Sequence, residues 1–243
     1  MSYIQYTPLF TDSKINGDRP LFSFSLTVIC NDREMPRQPR NDTGNRIYHV
    51  INRANARLKI FESDSDYELF ENLLMKALSR FSIKLYAYTN MPNHFHLVLY
   101  SEKPAEVSKF MHWLSGAFTQ HWHTRHATMG SGHLFQGRYK SFPIQNGNHL
   151  LQVLLYVERN AVRAKLVKRA EEWRWCSAWI RKYGNEKQKK MLSEWPIDVP
   201  KDYLNVLNKT DDENILKDIR FSITKSVSIG SEGKRPRGRP RKK

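Results

Sequence analysis

The stretch IKLYAYTNMPNHFHLVLY, residues 83–100, decides how this chain folds. IKLYAYTN (83–90) and HFHLVLY (94–100) are rich in β-branched and aromatic residues, as strands are, and MPN between them is short enough for a hairpin-like link. Working outward, NRIYHVINRA (45–54) has the same strand character. Ser63 to Asp66 supply capping residues before YELFENLLMKALSRF, whose apolar residues recur at three and four, the period of a helix. On the other side, Pro104 suits the first turn of a helix running to about His126, and SGHLFQGRYKSFPI (131–144) begins with glycine punctuation and continues as a fourth strand. Asn146 to Asn148 then open a helix through LLQVLLYVERNAVRAK. The order βαββαβα predicts an α+β fold, a ferredoxin-like antiparallel sheet with helices on one face.

Composition bounds the partners. Forty Lys and Arg against 24 Asp and Glu give a formal net charge of +16, a field that attracts polyanions, nucleic acid first. No run of eighteen apolar residues is present to span a bilayer. Two cysteines, Cys30 and Cys176, make no disulfide framework and fit a reducing, cytoplasmic setting, with nucleoid association expected from the charge. Residues 21–30 superficially resemble a signal sequence, but Ser23, Ser25 and Thr27 interrupt the run and no small-x-small site follows.

The chemistry-bearing residues fall in two places. His94 and His96 are two apart on a strand and so share a face. Tyr156 and Asn160 are four apart on a helix and share a stripe. At about 100° per residue that stripe holds His149, Gln152, Arg159 and Arg163, while Leu150, Leu151, Leu154, Ala161 and Val162 lie opposite. Tyr156 is thereby expected on a polar face, away from the core. Glu158 is on the far side of the helix and is expected to pair with a basic residue instead of sharing a metal with Asn160. No cluster of carboxylates suggests a two-metal nuclease. The other histidines add nothing to a zinc site, which wants a third His or a carboxylate; His121 and His123 diverge on a helix. Arg138 and Lys140 alternate onto one face of the GRYKS strand, placed to neutralise backbone phosphates.

HFH and the Tyr156–Asn160 helix stand with YHVINRANARLKIF, AYTNMPNHFHLVL, GHLFQGRYKSF, YVERNAVRAKLV and EWRWCSAW. Over roughly residues 35–183 this set resembles the single-tyrosine HUH transposases, most of all the REP-associated tyrosine transposase group. The resemblance implies a histidine pair, His94 and His96, and a polar ligand, Asn160, around Mg²⁺ or Mn²⁺. It implies Tyr156 as nucleophile toward single-stranded DNA carrying hairpin-forming, REP-like palindromes, with a 5′-phosphotyrosine intermediate. Arg53, Arg138, Lys140 and Arg163 are the expected DNA contacts. The family often has Asn-Pro-Val-Arg where this chain has Asn160-Ala161-Val162-Arg163, so a straighter helix is expected here. A monomer that delivers Tyr156 in cis is expected, although related insertion-sequence transposases are dimers that exchange this helix. The alternatives are a catalytically silent DNA-binding regulator of the same fold and, more remotely, a zinc-dependent hydrolase.

MPRQPR, from Met35, resembles the usual start of such proteins, which makes residues 1–34 an extension or a misassigned start. Residues 35–183 are the expected catalytic domain, and 184–233 a partly helical region and linker. The last ten residues, KRPRGRPRKK (234–243), carry seven positive charges. Pro236 and Pro240 favour an extended chain, and Gly238 between Arg237 and Arg239 leaves no side chain in the way. An Arg237-Gly238-Arg239-Pro240 segment of this kind is AT-hook-like and is expected to lie in an A·T-rich minor groove.

Overall fold

The computed structural model describes residues 43–145, 147–209 and 219. Four strands form one antiparallel sheet: β1 (Arg46–Arg53), β2 (Ile83–Met91), β3 (His94–Ser101) and β4 (Lys140–Ile144), in the order β2-β3-β1-β4. Helix α1 (Asp64–Arg80) joins β1 to β2, and α2 (Glu106–Arg125) joins β3 to β4. This is the expected α+β, ferredoxin-like arrangement. Both βαβ units are split, each leaving room for the antiparallel strand that separates its two parallel members. Helix α1 starts where Ser63 and Asp66 cap it: Asp66 Oδ2 accepts from the Ser63 amide at 3.0 Å and the Glu62 amide at 3.1 Å.

Alternation along the strands sorts the sheet into two unlike faces. Tyr48 and Val50 of β1, with Phe95, Leu97 and Leu99 of β3, point under α1 and α2 and meet Phe70, Leu74, Phe110, Leu114 and Phe118. On the opposite face lie Ile47, Val98 and Ile144, covered by Leu150, Val153, Leu154 and Val157 of α3 (Asn148–Glu158). So α1 and α2 occupy one face as expected, and α3 adds a layer on the other. His49 (paired with Phe142 of β4) and His96 belong to this second face, which carries the candidate site.

The second core runs past Tyr183, the expected end of the domain. After α5 (Ser177–Tyr183) and α6 (Glu186–Lys189), Trp195 and the Tyr203 and Leu207 side chains of α7 (Tyr203–Asn208) are buried in it. Trp195 Nε1 donates to the Tyr86 carbonyl at 2.8 Å. Residues 184–209 are therefore part of the packed molecule and partly helical, and the stretch that reads as a linker, 222–233, lies outside the described residues.

Two further expectations are corrected. The fourth strand begins only at Lys140, because 131–139 is irregular apart from one bridge between Ala54 and Phe135, so Arg138 sits exposed in a bend and does not alternate with Lys140 along a strand. The Tyr156 helix is not straighter for want of proline. It breaks at Arg159 (φ −85°, ψ 1°) and resumes as α4 (Asn160–Arg163). The extension 1–34 and the tail 234–243, with Arg237, Gly238, Arg239 and Pro240, lie outside the described residues. Among the described residues no helix is long and apolar enough to cross a membrane.

Candidate active site

The break at Arg159 determines what the Tyr156 helix offers. A helix end leaves carbonyls without intrahelical donors, and here side chains supply them. Asn160 Nδ2 donates to the Tyr156 carbonyl at 3.3 Å and to the Val157 carbonyl at 3.2 Å. Thr89 Oγ1, from β2, donates to the Val157 carbonyl at 2.8 Å and fixes the helix end to the sheet. Arg163 Nη2 also donates to the Tyr156 carbonyl, and its guanidinium carbon lies 4.0 Å from the centre of the Tyr156 ring. With the amide nitrogen of Asn160 turned back into the helix, its carbonyl oxygen is the end left for a ligand.

Tyr156 is 8% exposed and sits within the second core, not on a solvated polar face as its helical stripe suggested. The stripe is polar because the part of the sheet beneath it is polar. The Tyr156 ring stands edge-on to His49 at 6.0 Å and to His96 at 6.1 Å between centroids. No hydrogen bond from a described residue occupies its hydroxyl. Glu158, as expected, points elsewhere. Fully buried, it accepts from Ser177 Oγ at 2.5 Å and from the Tyr203 hydroxyl, and it lies 3.8 Å from Arg181 Nε. Burial raises its carboxyl above the ordinary range, against the pull of Arg181 and the two hydroxyls.

His94 and His96 are neighbours on β3, with ring centroids 5.0 Å apart and planes at 74°, close enough for one cation to touch both. Their hydrogen bonds set which nitrogen is available. His94 Nδ1 is 2.6 Å from Asn93 Oδ1, an oxygen that only accepts, so the Nδ1 proton is on His94 and its Nε2 carries a lone pair. His96 Nδ1 is 2.9 Å from His49 Nε2. If the proton rides on His96 Nδ1, His49 accepts, and His96 Nε2 is a second free lone pair. A metal-binding imidazole is held in this way, by an acceptor on its other nitrogen.

His49 is the site residue that sequence reading missed. It is fully buried on β1, its ring nearly coplanar with that of His96 and joined to it edge to edge, with centroids 5.1 Å apart, and its Nδ1 has no hydrogen-bond partner among the described residues. Among the described residues no group of three His, Cys, Asp or Glu is disposed around a metal. His49 engages His96 through the hydrogen bond between Nε2 and Nδ1. The one sequence signal for it is the strand alternation that puts position 49 on the same face as Ile47 and Ile51. His123, by contrast, is buried and bonded to Thr128 Oγ1 at 2.8 Å, away from this chemistry.

The electrostatics keep the imidazoles neutral. Burial, then the nearby Arg53 charge, lowers His94 to about 4. Burial, then Arg163, lowers His49 to about 3. His96 is pushed well below the usual imidazole value by burial first, then by His94, His49 and the two arginines. A metal ligand must be unprotonated, and neutral nitrogens with an amide oxygen suit a divalent ion that keeps positions for water or phosphate oxygens. Arg53 is exposed and pairs across the sheet with His94, and Lys140 pairs with Ile51, so both lie on strands flanking the histidines.

Residues 43–160 match the family model described as IS200-like transposase. Among solved structures the chain is similar to a REP-associated tyrosine transposase bound to a REP hairpin. That match has 16% identity and a TM-score of 0.51, covering 70% of this chain and 96% of the other. A transposase-like protein of Deinococcus radiodurans R1 is similar over 51% of this chain and 96% of its own, at 20% identity and a TM-score of 0.37. No curated protein matches the sequence.

Proposed function

We propose that this chain, which belongs to the IS200-like transposase family and is thus a DNA-processing protein, nicks and rejoins single-stranded DNA through Tyr156. The observation that carries the proposal is the edge-on approach of the Tyr156 ring to His96 within one chain, beside two imidazoles each held by a hydrogen bond at Nδ1.

In this reading the Tyr156 oxygen attacks the scissile phosphorus as its proton leaves to solvent. The bond from phosphorus to the 3′ oxygen breaks, and that oxygen takes a proton from solvent. The products are a 5′-phosphotyrosine and a free 3′-OH, and attack by a 3′-OH reverses the step onto the same or another end. One phosphodiester is exchanged for another, so no ATP is needed. His94, His96 and Asn160 would hold Mg²⁺ or Mn²⁺, which would supply Lewis acidity at the phosphate and favour the ionised tyrosine oxygen as nucleophile. Arg163 holds the Tyr156 ring and its helix end. Arg53 and Lys140 flank the site as phosphate contacts, and Arg138 reaches DNA from its exposed bend. His49 acts through His96, holding it in the tautomer that can ligate.

A hairpin-forming, REP-like palindrome is the substrate favoured by the similarity to a transposase bound to a REP hairpin. Delivery of Tyr156 in cis, by a monomer, is the reading supported by the packing of α3 on its own chain's sheet. The tail 234–243 adds affinity for A·T-rich duplex DNA. Its deletion should weaken A·T-rich more than G·C-rich duplex binding and leave single-strand cleavage nearly intact. The central test is cleavage of hairpin-bearing single strands with Mg²⁺, Mn²⁺ or EDTA. Wild type should give an SDS-resistant adduct that EDTA abolishes, and Tyr156→Phe should give none while still binding the hairpin. An adduct with the Phe variant would mean that another residue is the nucleophile. Lack of cleavage by wild type across hairpin substrates would favour the silent DNA-binding reading.

A further inference from the structure

The sheet face that carries His94 and His96 continues along β3 to Tyr100, four residues beyond His96 and so about 13 Å away. There it ends in a cavity of about 790 Å³ that the proposed chemistry does not use. Its walls include Tyr86, Tyr100, Lys84, Arg46, Pro143 and Ile144. Tyr86 and Tyr100 are stacked, with centroids 6.4 Å apart and planes at 30°. Lys84 Nζ lies 5.4 Å from the centre of the Tyr100 ring, and the Tyr100 hydroxyl donates to Asn45 Oδ1 at 3.0 Å, which fixes the ring's orientation.

We propose that this cavity is a base-binding subsite for an unpaired nucleotide of the single-stranded DNA whose phosphate is cut at Tyr156. Three observations select that occupant. Among the described residues the lining holds two cations, Lys84 and Arg46, and no carboxylate, so it favours an anionic chain. The half-exposed Tyr100 offers an aromatic surface, and every base has a face that can stack on one. The cavity also lies about 13 Å from the histidines along β3, beyond the α3 side chains that cover Val98 between them, so it faces a flank of the bound strand and not the scissile phosphate itself. A base would take the place of the Lys84 ammonium over Tyr100, and that ammonium is then free to turn to the adjoining phosphate. The subsite rests on the proposed function for its substrate, but its readout is binding, which is separable from cutting.

The test uses the full chain and two probes: a hairpin with single-stranded flanks on both sides, and the same hairpin without flanks. Tyr100→Ala should raise the Kd of the flanked hairpin about tenfold, a loss within the range of one base–aromatic stack. Tyr100→Phe keeps the ring and should bind as wild type does. Lys84→Ala, an exposed position that does not threaten the fold, should raise Kd severalfold with a shallower salt dependence. None of the three should change binding of the hairpin without flanks. With 5-iodouracil placed at each flank position in turn, one position should crosslink to a peptide containing Tyr86 or Tyr100. Equal losses on both probes, or crosslinks that map only outside the cavity, would overturn the subsite. If wild type binds and crosslinks as described yet forms no Tyr156 adduct, the subsite stands and the catalytic reading falls. If the adduct forms but Tyr100→Ala and Lys84→Ala bind normally, the catalytic reading stands and the subsite falls.

Discussion

The two faces of one sheet are built by different rules. Beneath α1 and α2 the strands present Tyr48, Val50, Phe95, Leu97 and Leu99 to a cluster of apolar side chains that includes Phe61, Phe70 and Phe118. Beneath α3 the same strands present Ile47, Val98 and Ile144 beside His49, His96 and the Tyr156 ring. The first face buries hydrocarbon against hydrocarbon, the main source of folding free energy. The second buries imidazoles that burial disfavours as cations, and leaves His49 Nδ1 without a partner among the described residues. An unpaired buried polar atom costs about 1–3 kcal/mol. Both sides of the sheet carry an apolar core, but only the α3 side interrupts its core with the groups that carry chemistry.

The largest effect that would sharpen this division is loss of a ligand. His96→Ala and His94→Ala should each lose metal-dependent cleavage by roughly three orders of magnitude or more, a scale typical of removing a central catalytic group. Asn160→Ala should lose only part of it, because water replaces a neutral amide more readily than an imidazole. Thermal unfolding of the metal-free variants should change little by comparison. Full activity of the double histidine variant in Mg²⁺ or Mn²⁺ would refute the metal site.

The converse substitution is Phe70→Ala. Phe70 is fully buried between Phe61, Phe95 and Phe118. Its truncation should cost about 3–5 kcal/mol of stability, read by urea unfolding, with Mn²⁺ affinity of the folded fraction unchanged. A change in metal affinity comparable to that of a histidine variant would show that the two faces are not separable.

His49 probes the join between the faces and what a sequence can disclose. The strands, the first two helices and the His94–His96 pair were legible because period-2 and period-3.6 patterns and an H-x-H on a strand are local signals. His49 was not, since its contact to His96 spans 47 residues and is created by strand pairing. Tyr156 was placed on the right stripe but in the wrong environment. A helical wheel finds the apolar side of α3, and cannot show that the polar side lies on a polar strip of sheet. The break at Arg159 and the irregular course of 131–139 were hidden for a related reason: neither carries proline, and both are settled by tertiary hydrogen bonds such as Thr89 to Val157. His49→Phe should lower Mn²⁺ affinity by about 10–100-fold, the usual range for an outer-shell partner of a metal ligand. His49→Gln, which keeps an acceptor for His96 Nδ1, should recover most of it. Calorimetry on uncut protein reads this without the reaction. Equal loss in both variants would reduce His49 to a packing residue.

The smallest effect is a pair of opposite pH dependences, one from each face, measured by thermal unfolding in EDTA. On the α3 face, His94 is lowered to about 4 and His49 to about 3, so between these values and about 6.5 the unfolded chain binds protons that the folded chain does not. Their contribution is complete above pH about 6.5 and is lost as pH falls through the folded values, with a slope of up to about 1.4 kcal/mol per pH unit for each group. On the α1 face, burial raises the Glu71 carboxyl to about 7, against the Tyr88 hydroxyl that donates to it at 2.5 Å and the more distant Arg174. The sign is reversed there. The contribution of protonated Glu71 is complete below the unfolded carboxyl value of about 4.5 and is lost as pH rises through about 7, because the folded state holds the proton that the unfolded state has released. His49→Gln should therefore remove one imidazole's share of the slope of the acid limb, leaving that of His94 and His96, and Glu71→Gln should change only the limb between about 4.5 and 7. Where the windows overlap, near pH 5–6, the one Glu71 slope opposes those of His94, His49 and His96, so wild type should still gain stability as pH rises there, less steeply after His49→Gln and more steeply after Glu71→Gln. A variant that tilts both limbs would mean that the faces share a proton network through β1 and β3, and the division between a stabilising face and a reactive one would no longer hold.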